Sequence, residues 1–242
     1  MNQNAPPVRF AGGLDVRAIA GVYAAVGRVH VRPIFTRETA ESVYHSLTNE
    51  IQWQLQLNDG DKPISRDGAS FEALSEADRA RVMQAVYANA ARGFQYIYNN
   101  FPISDLYEQG QQRSLYVMRL YEFLTSPEFL EFARAVTGVR SIAVVDAQAT
   151  LYRPGHFLTR HDDLQHSKKR VAAYVLNFTP RWVADWGGVL QFIDGDGHVA
   201  EGYTPVFNAL NLFRVPQPHN VSLVAPFAQG GRYSITGWLR EA

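Results

Sequence analysis

Near residue 140 the chain changes texture: apolar residues recur mostly at helical spacing before that point, and in short strand-like runs broken by Gly, Pro, Asn and Asp after it. The first half opens with a strand-like VHVRPIF, Val29 to Phe35. The pattern then predicts a helix from about Thr36 to Leu57, with Glu38 and Glu41 near its positive N-terminal end and Asn58-Asp59-Gly60 as its stop. The turn-rich NDGDKPISRDG follows as a loop. Ser75 with Asp78 three residues on suits a capping box, so a helix is expected from Ser75 through Met83, Val86, Tyr87 and Ala90 toward Tyr98. Another is signalled over Leu115 to Leu124. A further one opens at Ser126-Pro127-Glu128, since Ser accepts from orphan N–H groups and Pro tolerates the first helical position, and Gly138 ends it. These helices read as packing scaffold.

From Ser141 onward the strand-like segments are IAVVDAQATLY, FLTRHDD, RVAAYVLNFT, GVLQFID, HVAEGY, ALNLFRV, VSLVAPF and RYSITGWL. Such spacing suits an antiparallel double-sheet jelly roll whose lumen holds a small ligand. The expected class is therefore α+β, a double-stranded β-helix (jelly-roll) barrel supported by N-terminal helices. Residues 1–242 read as a single domain, with 1–140 a mainly helical support region carrying a short strand and 141–242 the jelly-roll core. Alternation places Asp146, Gln148, Thr150 and Tyr152 on one face of their strand. It places Arg232, Ser234, Thr236 and Trp238 on one face of the last strand, opposite Tyr233, Ile235 and Leu239.

The composition is globular: 242 residues, 46% hydrophobic, 12% aromatic and 19% charged. Lys plus Arg and Asp plus Glu are 23 each, so no global field favours nucleic acid or anionic lipid, and neither partner is expected. The longest basic run, Lys168-Lys169-Arg170, reads as a solvated loop. Zero Cys excludes disulfides, thiolate metal sites and cysteine nucleophiles. The opening MNQNAPPVRFAGG lacks a signal-peptide pattern, and no window approaches the roughly 20 apolar residues of a membrane span; a cytoplasmic protein is expected. There is no repeat that would suggest a solenoid or propeller.

His161 and Asp163 sit two apart, and on a strand that spacing turns both toward one side, where a ring nitrogen and a carboxylate oxygen can converge on a metal. His219, in PQPHNVSLV, is a third candidate on a later strand. Two His and one carboxylate leave adjacent coordination positions open, which suits Fe(II) with a bidentate co-substrate and O2, while zinc hydrolysis uses similar ligands. A dicarboxylate co-substrate also needs a cation for its far end, and Arg232 on the last strand is placed for that, with Tyr152 as a further hydrogen-bond donor. His156, His166 and His198 fall in turns or polar stretches and read as solvent-exposed. There is no Gly-x-Ser-x-Gly elbow, and no helix follows Gly195 and Gly197 to make a phosphate loop.

The stretch YRPGHFLTRHDD, KKRVAAYVLNFTPRW, GGVLQFID, NALNLFRV, HNVSLV and RYSITGWL resembles the prolyl-hydroxylase-like branch of the 2-oxoglutarate and Fe(II) dependent dioxygenases. It is most similar to the ribosomal-protein prolyl hydroxylase subgroup, here as a single barrel without the second, degenerate barrel of those enzymes. The resemblance covers roughly Ile142 to Arg240. It implies that His161, Asp163 and His219 are catalytic iron ligands and that Arg232 pairs with the distal carboxylate of 2-oxoglutarate, with Tyr152, Ser234 and Trp238 as further cofactor-pocket residues. Gly187-Gly188 and Asn208 match structural positions. The implied reaction couples decarboxylation of 2-oxoglutarate to succinate and CO2 with hydroxylation of a substrate C–H by O2, with ascorbate as a stimulant; a carboxylate at Asp163 leaves no vacancy for a halide.

The implied substrate is a prolyl residue in a protein or peptide, with a free amino acid or other small molecule as the alternative. Lid candidates are Asn58 to Gly68, His166 to Arg170 and Arg181 to Asp185. A non-enzymatic jelly-roll module that senses metal or 2-oxoglutarate is the rival from another class. A cupin-like site would need His-x-His, which the sequence lacks.

Overall fold

The capping signals of the first half end helices where the backbone runs out of internal hydrogen bonds. In the computed structural model, which describes residues 5–60 and 62–242, helix α1 (Val16–Val26) starts at Asp15, whose carboxylate accepts from Ala18 N–H, and stops at a left-handed Gly27. Strand β1 (Arg28–Val31) follows, then α2 (Arg37–Asn49), capped by Thr36. The hairpin β2 (Gln54–Asp59) and β3 (Lys62–Asp67) leads to α3 (Gly68–Glu72) and to α4 (Glu76–Ala90), where Ser75 Oγ accepts from Asp78 N–H. Next come β4 (Tyr96–Phe101), α5 (Ile103–Glu108), α6 (Tyr116–Leu124) and α7 (Pro127–Thr137). The last keeps its Ser126 cap, first-turn proline and left-handed Gly138.

The second half is strand: β5 (Ile142–Val145), β6 (Gln148–Tyr152), β7 (Phe157–His161), β8 (Arg170–Asn177), β9 (Leu190–Ile193), β10 (Val199–Tyr203), β11 (Ala209–Arg214), β12 (His219–Val221) and β13 (Arg232–Glu241). Their order is β1-β11-β8-β13-β6-β4-β7-β12-β9-β10, with β2 and β3 beside β4 and β5 beside β13. Strand β4 links the β6 side of this order to the β7 side, pairing β6 through Asn99–Phe101 and β7 through Tyr96 and Ile97. The two ends of this order meet through side chains: the Arg28 guanidinium binds the Glu201 carboxylate, and the His30 and Tyr203 rings lie 5.2 Å apart. The result is the nearly closed double-stranded β-helix expected from the strand spacing.

Period-two alternation decides which side of the barrel each residue serves. On β8, Ala172, Tyr174 and Leu176 face the main core, while Ala173 and Val175 join Leu190, Phe192 and Phe213 inside the barrel. On β13, Ile235 and Leu239 face the main core, and Arg232 and Trp238 enter the cavity. That main core packs Val43, Leu47, Val117, Leu120, Phe129 and Phe132 of α2, α6 and α7 against the sheet, so the helices hold one wall of the barrel from outside.

Several expectations for the first half are corrected. The helix expected to Leu57 ends at Asn49, and Gln54–Asp59 is a strand in which Leu55 and Leu57 are buried and Gln54 and Gln56 are not, the signature of period two rather than 3.6. The segment read as a loop, Asn58 to Gly68, is the turn and second arm of that hairpin; Asp61, like residues 1–4 of the opening stretch, lies outside the described residues. The helix expected toward Tyr98 stops at Ala90, and Tyr96–Phe101 is β4. The strand expected over Val29 to Phe35 ends at Val31, before Pro33. Helices α1, α3 and α5 lie outside the segments whose spacing predicts helix. No described helix is long and apolar enough to cross a membrane.

Candidate metal centre and co-substrate pocket

The two histidines lie 58 positions apart in the chain yet are direct cross-strand partners, because β12 pairs antiparallel with β7 in the register His219↔His161. Their rings sit 4.1 Å apart. Asp163 Oδ1 lies 3.5 Å from His161 Nε2, and Asp163 Oδ2 lies 3.5 Å from His219 Nε2. One ligand atom from each residue falls within 4.8 Å of the others. The route differs from the expected strand spacing: β7 ends at His161, and Asp163 reaches the site through a left-handed backbone at φ 62°. A non-glycine residue held there is strained, which fits a position set by the chemistry of its side chain.

Tautomers follow from the outer contacts. His161 Nδ1 is 3.0 Å from Thr159 O and His219 Nδ1 is 2.8 Å from Gln217 O. A carbonyl only accepts, so each Nδ1 carries the proton and each Nε2 turns a lone pair toward Asp163. Burial pushes the His219 pKa down to about 4, aided by His161 and opposed by Asp163, so the ring is neutral at pH 7. Burial would raise the Asp163 carboxyl, but its contacts with the His161 and His219 rings and with the Trp238 indole outweigh it and hold it below the ordinary range. Two imidazoles and a carboxylate form the donor set of a divalent first-row metal.

The cavity holding this cluster has a volume of about 220 Å³ and reaches Arg232. Arg232 is 1% exposed, and its Nε and Nη1 have no hydrogen-bond partner. Its ladder partner on β6 is Tyr152, over whose ring the guanidinium carbon lies at 5.1 Å. Burial lowers the Arg232 pKa and Tyr152 opposes it, with no ion pair to a carboxylate among the described residues. A buried guanidinium with free donors fits an incoming carboxylate, which it grips with two parallel hydrogen bonds.

Trp238 lines the cavity and carries the Arg170 guanidinium at 3.6 Å above its ring. Arg170 therefore belongs to β8 and to the rim, not to the solvated loop expected for it; Lys168 and Lys169 are exposed. Ser234 does not line the cavity: it is fully buried with Oγ 2.9 Å from Thr150 Oγ1, and Thr150 forms the wall. Asp146 is also elsewhere, ion-paired with Arg240 at 2.9 Å. His156, expected at the surface, is 4% exposed with its pKa pushed down to about 4 by burial; His166 and His198 are exposed.

Sequence reasoning missed one wall entirely. Phe94, Tyr96 and Tyr98 form an aromatic ladder with centroid spacings of 5.7 and 5.4 Å, continued by Tyr98 stacked on Tyr152 at 5.3 Å. Its signal, aromatic residues at alternate positions of FQYIY, was hidden by reading the segment as helix.

Residues 147–240 match the family model described as 2OG-Fe(II) oxygenase superfamily. That stretch is similar to a 2-oxoglutarate/Fe(II) oxygenase domain. The matched residues include all three members of the metal cluster and Arg232. A mouse protein, Prolyl 3-hydroxylase OGFOD1, is 29% identical over 118 residues, or 46% of this chain; the match spans about a fifth of that protein's length (21%). Over most of its length the chain has the fold of a Trichoplax adhaerens prolyl hydroxylase solved with a hypoxia inducible factor peptide fragment. That likeness has TM-score 0.62 and 17% identity, covering 93% of this chain and 89% of that one. A Pseudomonas putida prolyl-4-hydroxylase also aligns, with TM-score 0.51 and 18% identity over 94% of this chain and 99% of that one. The resemblance to the prolyl-hydroxylase-like branch thus holds for sequence motif and for fold.

Proposed function

We propose that this protein is a dioxygenase that hydroxylates a C–H bond of a prolyl residue in a protein or peptide, converting 2-oxoglutarate and O2 to succinate and CO2. The observation that carries the reading is a buried, unpaired Arg232 guanidinium in the same cavity as His161, Asp163 and His219. A metal hydrolase would need the three ligands but would have no use for a desolvated cation beyond them. Iron, when bound, supplies O2 activation coupled to oxidative decarboxylation of the co-substrate.

His161, Asp163 and His219 would hold Fe(II), with Nδ1–H bonds to Thr159 and Gln217 carbonyls fixing both rings. Arg232 would take the distal carboxylate of 2-oxoglutarate, and the Tyr152 hydroxyl, kept protonated by burial, would donate to it. Trp238 and the Phe94–Tyr96–Tyr98 wall enclose the reacting substrate and exclude water, which strengthens every polar contact inside. The whole of 1–242 acts as one domain in this reading, since first-half β4 supplies that wall.

The test is succinate formation from 2-oxoglutarate with Fe(II) and ascorbate. Turnover by the intact protein, reduced at least about a hundredfold in His161→Ala and Arg232→Ala, is expected. No turnover even without added substrate, with His161→Ala indistinguishable from the parent, would instead favour a metal or 2-oxoglutarate sensor.

A further inference from the structure

Of His161, Asp163 and His219, the carboxylate is the one that no strand holds. His161 closes β7 and His219 opens β12, whereas Asp163 lies past the end of the ladder at φ 62°, just ahead of the exposed residues 164–169. A ligand on such a segment keeps its place only if something outside the ligand set fixes it. Arg170, at the far end of that exposed run, does so. Its Nη1 donates to the Asp163 carbonyl at 3.2 Å, and its guanidinium carbon lies over the Trp238 ring at 3.6 Å.

A β-bulge brings Arg170 there. Along β8, Ala172, Tyr174 and Leu176 face the main core, and unbroken alternation would send Arg170 the same way. Instead the pairing with β13 passes from Leu239↔Ala172 to Arg240↔Arg170, which leaves Val171 with no residue opposite it on β13. Val171 packs against the main core, and Arg170 turns to the other side, over Trp238. Bulges beside active sites re-aim side chains in this way.

Arg170 does not itself line the cavity, whereas Asp163 and Trp238 do. It therefore reaches the metal centre only through those two neighbours. The Trp238 Nε1–H is buried without a hydrogen bond of normal geometry, and the indole helps to hold the Asp163 carboxyl below its ordinary range. Fixing the indole plane thus fixes a donor beside the carboxylate.

We propose that Arg170 is a positioning residue for the metal: by joining the Asp163 carbonyl to the Trp238 ring, it holds the carboxylate in the left-handed turn from which it shares an ion with both histidines. This rests on the metal-binding part of the reading above. It adds a residue that sets metal affinity without touching metal or co-substrate.

Charge and position predict opposite signs. Arg170 is a cation near a cation site, so its removal would tighten metal binding through Coulomb repulsion alone, whereas loss of the brace loosens it. The test is titration of the metal-free protein with Co(II), a visible probe for the Fe(II) site, beside thermal melts of each metal-free variant. Arg170→Met is expected to weaken Co(II) binding about 10- to 100-fold and to alter the visible absorption of the saturated protein, with a metal-free melting temperature close to the parent's. Arg170→Lys keeps the charge but lacks the planar fork that stacks and donates at once, so its affinity should fall between the two. Lys168→Ala, which removes one positive charge from the exposed run, should bind as the parent does.

Unchanged or tighter Co(II) binding by Arg170→Met would overturn the brace, and so would affinities that fall only in step with the metal-free melting temperatures. If Arg170→Met does not fold, Arg170→Lys decides on the same criteria. His161→Ala separates the two readings. Parent binding that this variant abolishes, with Arg170→Met unchanged, removes this inference alone; a parent that binds no Co(II) removes the metal centre and this inference with it.

Discussion

A guanidinium that is 1% exposed and leaves Nε and Nη1 unpartnered destabilises the empty protein, because desolvation of a charge is offset only by partners. Arg232→Met should therefore raise the stability of the metal-free, co-substrate-free protein by about 1 to 3 kcal/mol while abolishing any thermal shift on adding 2-oxoglutarate; melts of both proteins with and without it decide, and a destabilised variant would mean that the cation has a structural partner. His156 acts in another way. Its pKa falls from an ordinary 6.5 to about 4 in the folded chain, so the unfolded state binds the proton first as pH drops. Stability is intact above about pH 6.5 and declines toward pH 4, by at most about 1.4 kcal/mol per pH unit for this group. Denaturation of metal-free His156→Leu should show a correspondingly flatter slope in that window, and an equal slope would place the proton elsewhere. Arg232 was legible in the sequence because alternation on its strand marks a polar face. Burial of His156 was not, since a YRPGH turn looks the same whether or not another segment packs over it.

At the level of elements, the loop before β9 docks on the loop after β12 at a distance only glycine permits. Gly187 has φ +66°, and a Cβ there would sit 2.0 Å from Leu223 O. Gly187→Ala should cost at least about 2 kcal/mol in chemical denaturation; a loss under about 0.5 kcal/mol would show that the two loops part freely. Asn208 is structural in the same sense: at φ 59° its side chain accepts from Phe35 N–H at 3.0 Å and donates to Phe35 O at 2.7 Å. Caps and breakers at Ser75, Ser126 and Gly138 were readable because they act within one turn of chain. The ends of α2 and α4 were not, because QLQL and YIYNNF carry apolar residues compatible with a continued helix, and only pairing of β2 with β4 and of β4 with β6 settles them as strands.

For the molecule as a whole, a site assembled from β6, β7, β12 and β13 exists only when the barrel is folded, so ligands that bind it must stabilise the fold. Fe(II) with 2-oxoglutarate at about 100 times the dissociation constant should add about 2.7 kcal/mol, a rise in Tm of roughly 5 to 10 °C for a chain of this size, and a chelator should reverse it. Scanning calorimetry without any shift would count against the site. The sequence alone determined the residue types the chemistry needs, the strand periodicity and the order of motifs, because each is written in local spacing. Tertiary structure decided what lies between distant segments: the β7–β12 register that sets His161 against His219, the left-handed turn that swings Asp163 to both, and the β4 aromatic wall that lines the pocket. Those depend on which backbone groups find one another across the barrel, a choice made by the packing of the whole chain and encoded in no single stretch of it.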